Sequence, residues 1–209
     1  MYYQTKIVFI CVSVFFLAGG CASFKQPRKQ VQHYIFEYAS PEIKDLRPLP
    51  VSLKVARFSV ATAYNTDRMI YREKSFSRDE YFYHKWRANP GDMVTDFLSR
   101  DIRNSGLFKA VLPHGTDFPF SCVLEGSVDE FVEWDAPEGW KAVMAVTVVL
   151  MAANEPDVSK RILFQKTYRA EKPFTEKTPH GLAQAMSAAM GDISANVIRD
   201  IYSVLTNGQ

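Results

Sequence analysis

The sequence predicts one α+β domain: a mainly antiparallel β-sheet with two principal α-helices packed on one face. Three strand-like segments, "FSCVLEGSVDEFVEW", "WKAVMAVTVVLMAA" and "KRILFQKTYRAEKPF", follow one another, joined by the turn-forming stretches "DAPEG" and "NEPDVS". Two helical patterns, each opened by a capping residue and a proline, break into the strands at Asn89-Pro90 and Thr178-Pro179. Hairpin-connected strands interrupted by single helices belong to α+β architectures.

The chain opens "MYYQTKIVFICVSVFFLAGGC". Lys6 gives a positive start, and Ile7 to Leu17 is an uncharged apolar run. A spanning helix needs about 20 apolar residues, so this run is too short for one. It matches the hydrophobic region of an export signal, with Ala18, Gly19 and Gly20 as the small-residue cleavage zone. Cys21 directly after those residues fits a bacterial lipoprotein signal, in which the thiol is alkylated by diacylglycerol before cleavage. Leu17 stands four residues before the cysteine where the usual pattern has Leu at three. A non-lipidated signal or an uncleaved anchor is the alternative.

Residues 1–20 are thus read as a signal peptide and residues 21–31 as a lipidated cysteine followed by a tether. Residues 32–209 form the domain. Diacylglyceryl and N-acyl groups on Cys21 satisfy the two-chain requirement for stable membrane attachment. Ala22 and Ser23 follow, with no Asp to retain the protein in the inner membrane. The expected place is therefore the periplasmic face of the outer membrane. The tether, "ASFKQPRKQVQ", is polar and aperiodic. Lys25, Arg28 and Lys29 either touch anionic headgroups or are simply solvated.

Without residues 1–20, Lys+Arg falls from 25 to 24 against 23 Asp+Glu. Such a balance offers no basic field for nucleic acid, which export makes implausible as a partner in any case. Cys11 leaves with the signal and Cys21 is acylated, so Cys122 lacks an intramolecular partner. Its strand-like surroundings read as a buried small hydrophobe rather than a nucleophile.

The domain begins with "HYIFEYA", where Tyr34, Phe36 and Tyr38 alternate as in a strand. A second strand is "VSLKVARFSV", with Val51, Leu53 and Val55 on one face and Lys54 on the other. "RMIYREKS" and "DEYFYHKW" read as two short strands around an "FSRD" turn. In the first helix Asn89 caps, Pro90 starts and Asp92 favours the positive end of the dipole. Val94, Phe97, Leu98 and Ile102 form its apolar face, and Gly106 stops it. The middle of the three long strands is apolar on both faces from Val143 to Ala152. It is either a central strand covered on both sides or one whose outer face meets another subunit. In the last helix Leu182, Met186, Ile193, Val197, Ile201 and Leu205 make a core stripe.

No metal-ligand spacing joins His33, His84, His114 and His180, and no nucleophile elbow or phosphate loop is present. Asp129, Glu130, Glu133 and Asp135 stand close in sequence. They read as exposed acidic residues at a strand end, with an acid/base pair as the alternative. Neither a catalytic set nor a metal is expected, nor a cofactor beyond the lipid on Cys21. What stands out is aromatic and apolar material in short segments. Tyr64, Met69, Ile70, Tyr71, Phe76, Tyr81, Phe82, Tyr83 and Trp86 share one region, and Trp134 and Trp140 flank "DAPEG". From these, Tyr64, Met69, Ile70, Tyr71, Tyr81, Tyr83, Trp86, Trp134 and Trp140 are taken as interface candidates. The alternative is ordinary core and amphipathic edge strands.

In order and spacing, several segments together resemble the ABC-type transport auxiliary lipoprotein family, which includes the paraquat-inducible protein C group. They are the Cys21 signal, "HYIFEY", "LPVSLKVARFSV", "DRMIYREKS", "DEYFYHKWRANPGDMVTDFLSRDIRNSGLFKAV" and the closing "TPHGLAQAMSAAMGDISANVIRDI". The resemblance spans about residues 32–206. It implies a non-enzymatic outer-membrane lipoprotein serving an MCE-type (mammalian cell entry) lipid-transport apparatus. In such systems the lipoprotein docks a periplasmic MCE-domain conduit at the outer membrane. It also implies self-association into a homo-oligomer. A structural or assembly accessory of another envelope machine is the alternative.

Overall fold

The computed structural model describes residues 29–137 and 139–207. The signal segment, Cys21 and most of the tether lie outside them. Nine strands appear among the described residues: β1 (Gln32–Tyr34), β2 (Leu49–Val55), β3 (Ser59–Val60), β4 (Arg68–Arg72), β5 (Asp79–Trp86), β6 (Phe108–Leu112), β7 (Cys122–Ala136), β8 (Gly139–Ala152) and β9 (Ile162–Phe174). The helices are α1 (Pro90–Asn104), a single turn α2 (Val158–Arg161) and α3 (Pro179–Asn207).

The three long strands form the expected antiparallel meander, β7 with β8 and β8 with β9. The other edge of β7 is shared along its length by shorter strands. β2 pairs at Cys122–Leu124, β3 at Ser127–Val128 and β4 at Glu133–Trp134, all parallel to β7. Outside these lie β6 on β2 and β1 on β5, also parallel, while β4 and β5 form an antiparallel hairpin. The sheet is therefore mixed, correcting the expectation of a mainly antiparallel one. Antiparallel hairpins announce themselves through local turns. The parallel pairings join segments tens of residues apart and leave no local signal.

The alternation of β8 shows which face the helices cover. Ala142, Met144, Val146, Val148 and Leu150 are all fully buried beneath them. On the opposite face Val143 and Ala145 are also buried. Their register neighbours Glu130, Arg169 and Glu171 lie beside them and form the ion pairs Arg169–Glu130 and Arg169–Glu171, with Lys141–Glu171 next to them. Farther along, Val149 and Met151 stay half-buried. The double-sided apolar run is thus covered within the chain over its first half. Gly126 lets β7 and β8 approach where they pack on Phe58. A Cβ there would lie 2.0 Å from the Thr147 carbonyl oxygen.

Both long helices start as their sequences dictate. The Asn89 side chain accepts from the Gly91 amide at 3.0 Å, and Thr178 Oγ1 accepts from the Gly181 amide at the same distance. Gly106, at φ 66°, takes the left-handed conformation that ends the α1 region. Val94, Leu98 and Ile102 are fully buried, and the α3 stripe of Leu182, Met186, Met190, Ile193, Val197 and Ile201 joins the same core. α1 and α3 pack on each other and on this one face.

Between β1 and β2 the chain leaves the sheet and straps the helix pair. "HYIFEYA" is therefore a strand only to Tyr34. Phe36 turns inward against Trp86, Phe97 and Phe131, with ring centroids 5.9, 5.2 and 6.0 Å away. The Glu37 amide donates to Ser187 Oγ on α3 at 3.0 Å. On the α1 side Asp101 is fully buried and clamps the strap. Its Oδ2 accepts from the Tyr38 hydroxyl at 2.6 Å and its Oδ1 from Ser40 Oγ at 2.8 Å. Arg100 stacks over Tyr38 and Phe97 at 4.5 Å and donates through Nε to Asp101 Oδ1.

Candidate interface at one end of the sheet

The topology gathers a cluster of aromatic residues at one end. β4 and β7 run parallel with Tyr71 opposite Glu133 and Arg72 opposite Trp134. The β4–β5 turn, residues 73–78, therefore lies at the same end as the β7–β8 turn at Pro137–Gly139. Phe174, the last residue of β9, pairs with Trp140, so the β9–α3 connection arrives there too. Lys177 in that connection holds both turns, reaching Asp135 at 2.5 Å and Glu73 at 3.6 Å. Arg72 lies over the Trp134 ring at 4.4 Å.

Of the interface candidates, Tyr64, Met69, Ile70 and Trp86 are in the core, exposed by 8% or less. They act in packing, with Trp86 edge-on to Phe131 at 5.1 Å. Tyr71, Tyr81, Trp134 and Trp140 are half-buried and Tyr83 is exposed. Two aromatics of the same region that were outside the candidate set are far more open: Phe82 at 73% and Phe76 fully exposed. Phe82 lies in β5, which does not alternate regularly, and Phe76 lies in the β4–β5 turn, where no alternation applies.

That irregularity is a wide bulge. Ile70 pairs with Glu80, but Arg68 pairs with Lys85, so Met69 alone opposes Tyr81 to His84. Tyr81 turns inward, its hydroxyl donating to Glu133 Oε2 at 2.9 Å. Its ring lies 5.1 Å from Tyr71 and edge-on to His84 at 6.1 Å. Phe82 and Tyr83 are displaced outward as an edge-to-face pair 4.8 Å apart. The bulge thus presents a rigid aromatic pair on a strand whose outer edge β1 covers only from His84 to Trp86.

Beneath it Glu133 is fully buried, and its Oε1 has no hydrogen-bond partner in the structure. Burial holds this carboxyl above the ordinary carboxylate range, against the Tyr81 hydrogen bond and the Lys177 charge, which act the other way. Burial and the neighbouring Glu133 push the Tyr81 phenol upward in turn. Glu133 is therefore a buried brace, not an exposed strand-end acid. Its sequence neighbours scatter: Asp129 accepts from Ser127 Oγ, Glu130 pairs with Arg169 and Asp135 with Lys177. They do not form an acid/base pair.

Cys122 begins β7 near the opposite end of the strand, buried, with its thiol pushed up by burial. His84 sits among the bulge aromatics, where Tyr34 Oη lies 3.1 Å from its Nδ1. Among the described residues no group of three or more His, Cys, Asp or Glu is placed to hold a metal ion, and no helix is long and apolar enough to cross a membrane.

The described residues thus form a mixed α+β domain with outward-facing aromatics on a bulged hairpin. A model of the ABC-type transport auxiliary lipoprotein component matches residues 39–198, and the chain belongs to that family. The chain is thus an auxiliary lipoprotein of ABC-type transport, with the membrane-anchored envelope location that a lipoprotein has. Its fold is similar to the crystal structure of a Xanthomonas campestris protein of the DUF330 family, at TM-score 0.77 and 17% identity, covering 85% of this chain and 98% of that one. A hypothetical protein from Chlamydia trachomatis is similar at TM-score 0.55 and 8% identity, covering 75% and 98%. At these identities the likeness is one of fold. No curated protein matches the chain by sequence.

Proposed function

We propose that this protein is the outer-membrane auxiliary lipoprotein of an MCE-type intermembrane lipid-transport system. Anchored by acylated Cys21 and facing the periplasm, it docks the periplasmic MCE-domain conduit. Membership of the transport auxiliary family across residues 39–198 is the observation that carries this reading. The absence of Asp after Cys21 supports the outer membrane over the inner. The Phe82–Tyr83 pair, with Tyr71, Tyr81, Trp134 and Trp140 around it, supports docking at the aromatic end. Exposed rigid rings bury large area at small entropic cost. Self-association into a homo-oligomer belongs to the same proposal and would multiply such contacts.

The test is affinity purification of the natively anchored protein from crosslinked cells. An MCE-domain protein should be recovered, and Phe82→Ser with Tyr83→Ser should abolish its recovery while the thermal unfolding midpoint stays near wild type. Recovering no MCE-domain protein, under conditions that preserve a known MCE complex, overturns the assignment in favour of an accessory of another envelope machine.

A further inference from the structure

We propose that the β4–β5 turn, residues 73–78, is a second contact with the membrane that holds the anchor, with Phe76 seated among the lipid headgroups. The inference rests on the anchoring of Cys21 proposed above.

Phe76 is fully exposed and sits at φ 63°, a left-handed conformation that glycine or asparagine adopts far more readily. Nothing in the packing of the domain accounts for a phenylalanine there. A strained, solvent-facing aromatic at a hairpin tip points to something outside the chain. Its neighbours state what kind of surface. Lys74 and Arg78 flank it, exposed and without a carboxylate partner among the described residues. Of the acids in the hairpin, Glu73 reaches Lys177 and Glu80 pairs with Arg68, while Asp79, exposed next to Arg78, accepts from the Glu80 amide. The tip therefore offers one exposed ring flanked on both sides by a cation, an arrangement that suits a phospholipid headgroup layer. Trp134 and Trp140, at the same end, are of the residue type that collects at the membrane–water boundary.

The direction of β1 and the length of the tether permit that contact. β1 is parallel to β5 with Gln32 opposite His84. The amino-terminal end of β1 therefore lies toward the turn end of β5. Eleven residue steps separate Gln32 from Cys21, a reach of at most about 40 Å. From the level of Gln32 to the start of the turn is five strand residues, about 17 Å before the bulge shortens it. The tether is therefore long enough for the turn to reach the surface that holds Cys21. Because the anchor confines the domain to that layer, a weak contact is enough to orient it.

The experiment uses the full-length acylated protein in vesicles of phosphatidylethanolamine and phosphatidylglycerol. An environment-sensitive fluorophore is attached at Ser77→Cys or, as a control near the opposite end, at Gly115→Cys, both in a Cys122→Ala background. The Ser77 label should show blue-shifted emission and quenching by nitroxide-labelled lipids, and the Gly115 label neither. Phe76→Asp combined with Lys74→Glu should remove the shift without lowering the thermal midpoint. If the protein floats with the vesicles and both labels report water, the membrane contact is wrong while the anchor stands. Failure to float overturns the anchor and the contact with it. Shielding of the Ser77 label only when an MCE-domain protein is added assigns the tip to a protein groove and also overturns the proposal.

Discussion

Asp101→Ala tests how the strap that leads from the tether into the domain is held. Asp101 is fully buried and receives the Tyr38 hydroxyl at 2.6 Å, Ser40 Oγ at 2.8 Å and Arg100 Nε at 2.9 Å. A hydrogen bond to a charged group contributes about 1.5–3 kcal/mol net. Tyr38, Ser40 and Arg100 are all only partly buried and recover water when the carboxylate is removed. The expected destabilisation is therefore roughly 2–4 kcal/mol rather than the sum of three bonds. For a domain of this size it lowers the melting temperature by roughly 5–15 °C. Asp101→Asn keeps one acceptor and a similar shape, and should cost less. Urea unfolding measures the energy. Hydrogen exchange at the Glu37 amide, which is bonded to Ser187, reports whether the strap itself lifts. A loss below about 0.5 kcal/mol, the level of a neutral surface change, would refute the clamp. So would unchanged protection at Glu37.

Two further substitutions address the brace and the cysteine. Burial raises the Glu133 carboxyl, so the folded state holds its proton to higher pH than the unfolded chain. The stability this contributes is full below the unfolded value of about 4.3 and is lost as pH rises through the folded value. Glu133→Gln removes that loss: the variant should match wild type near pH 4 and gain on it toward neutrality. Parallel stability–pH curves would sink the idea. Cys122, buried with its thiol pushed up, should resist maleimide in the native protein and react only on unfolding. Cys122→Ala should cost about 1 kcal/mol and leave envelope function intact. Loss of function with normal folding would restore an enzymatic reading.

What could be read from the sequence was what is encoded locally. Asn89-Pro90 and Thr178-Pro179 mark helix starts because capping involves only neighbours, and Gly106 marks an end for the same reason. The β7–β8–β9 meander follows from its turns. β6 was not anticipated: Phe108–Leu112 is only five residues with a lysine at its second position, and its partner β2 lies more than fifty residues earlier. The strap escaped because Tyr34, Phe36 and Tyr38 alternate as a strand would, yet Phe36 and Tyr38 are spent on helices. The aromatic end was recognisable as a composition, but not its division between inside and outside. Met69, Ile70 and Trp86 go inward, Phe82 goes outward because the bulge in β5 breaks the alternation, and Phe76 is outside because it sits in the turn.

The same bulge explains why a buried carboxylate persists where an apolar residue would be cheaper. Leaving one oxygen of Glu133 unpartnered costs stability. What the residue does in return is take the Tyr81 hydroxyl, which holds Tyr81 inward and fixes the phase of the bulge. With Tyr81 inward, Phe82 and Tyr83 have no place in the core and must face solvent. A leucine at 133 would pack at lower cost but would leave the Tyr81 hydroxyl buried without an acceptor and the bulge free to slip. A slip by one residue exchanges inward and outward side chains. The brace thus trades stability for a fixed aromatic surface at the end where the chain also enters the domain. For a protein that docks a partner as proposed, presenting that surface in one orientation matters more than the depth of any pocket.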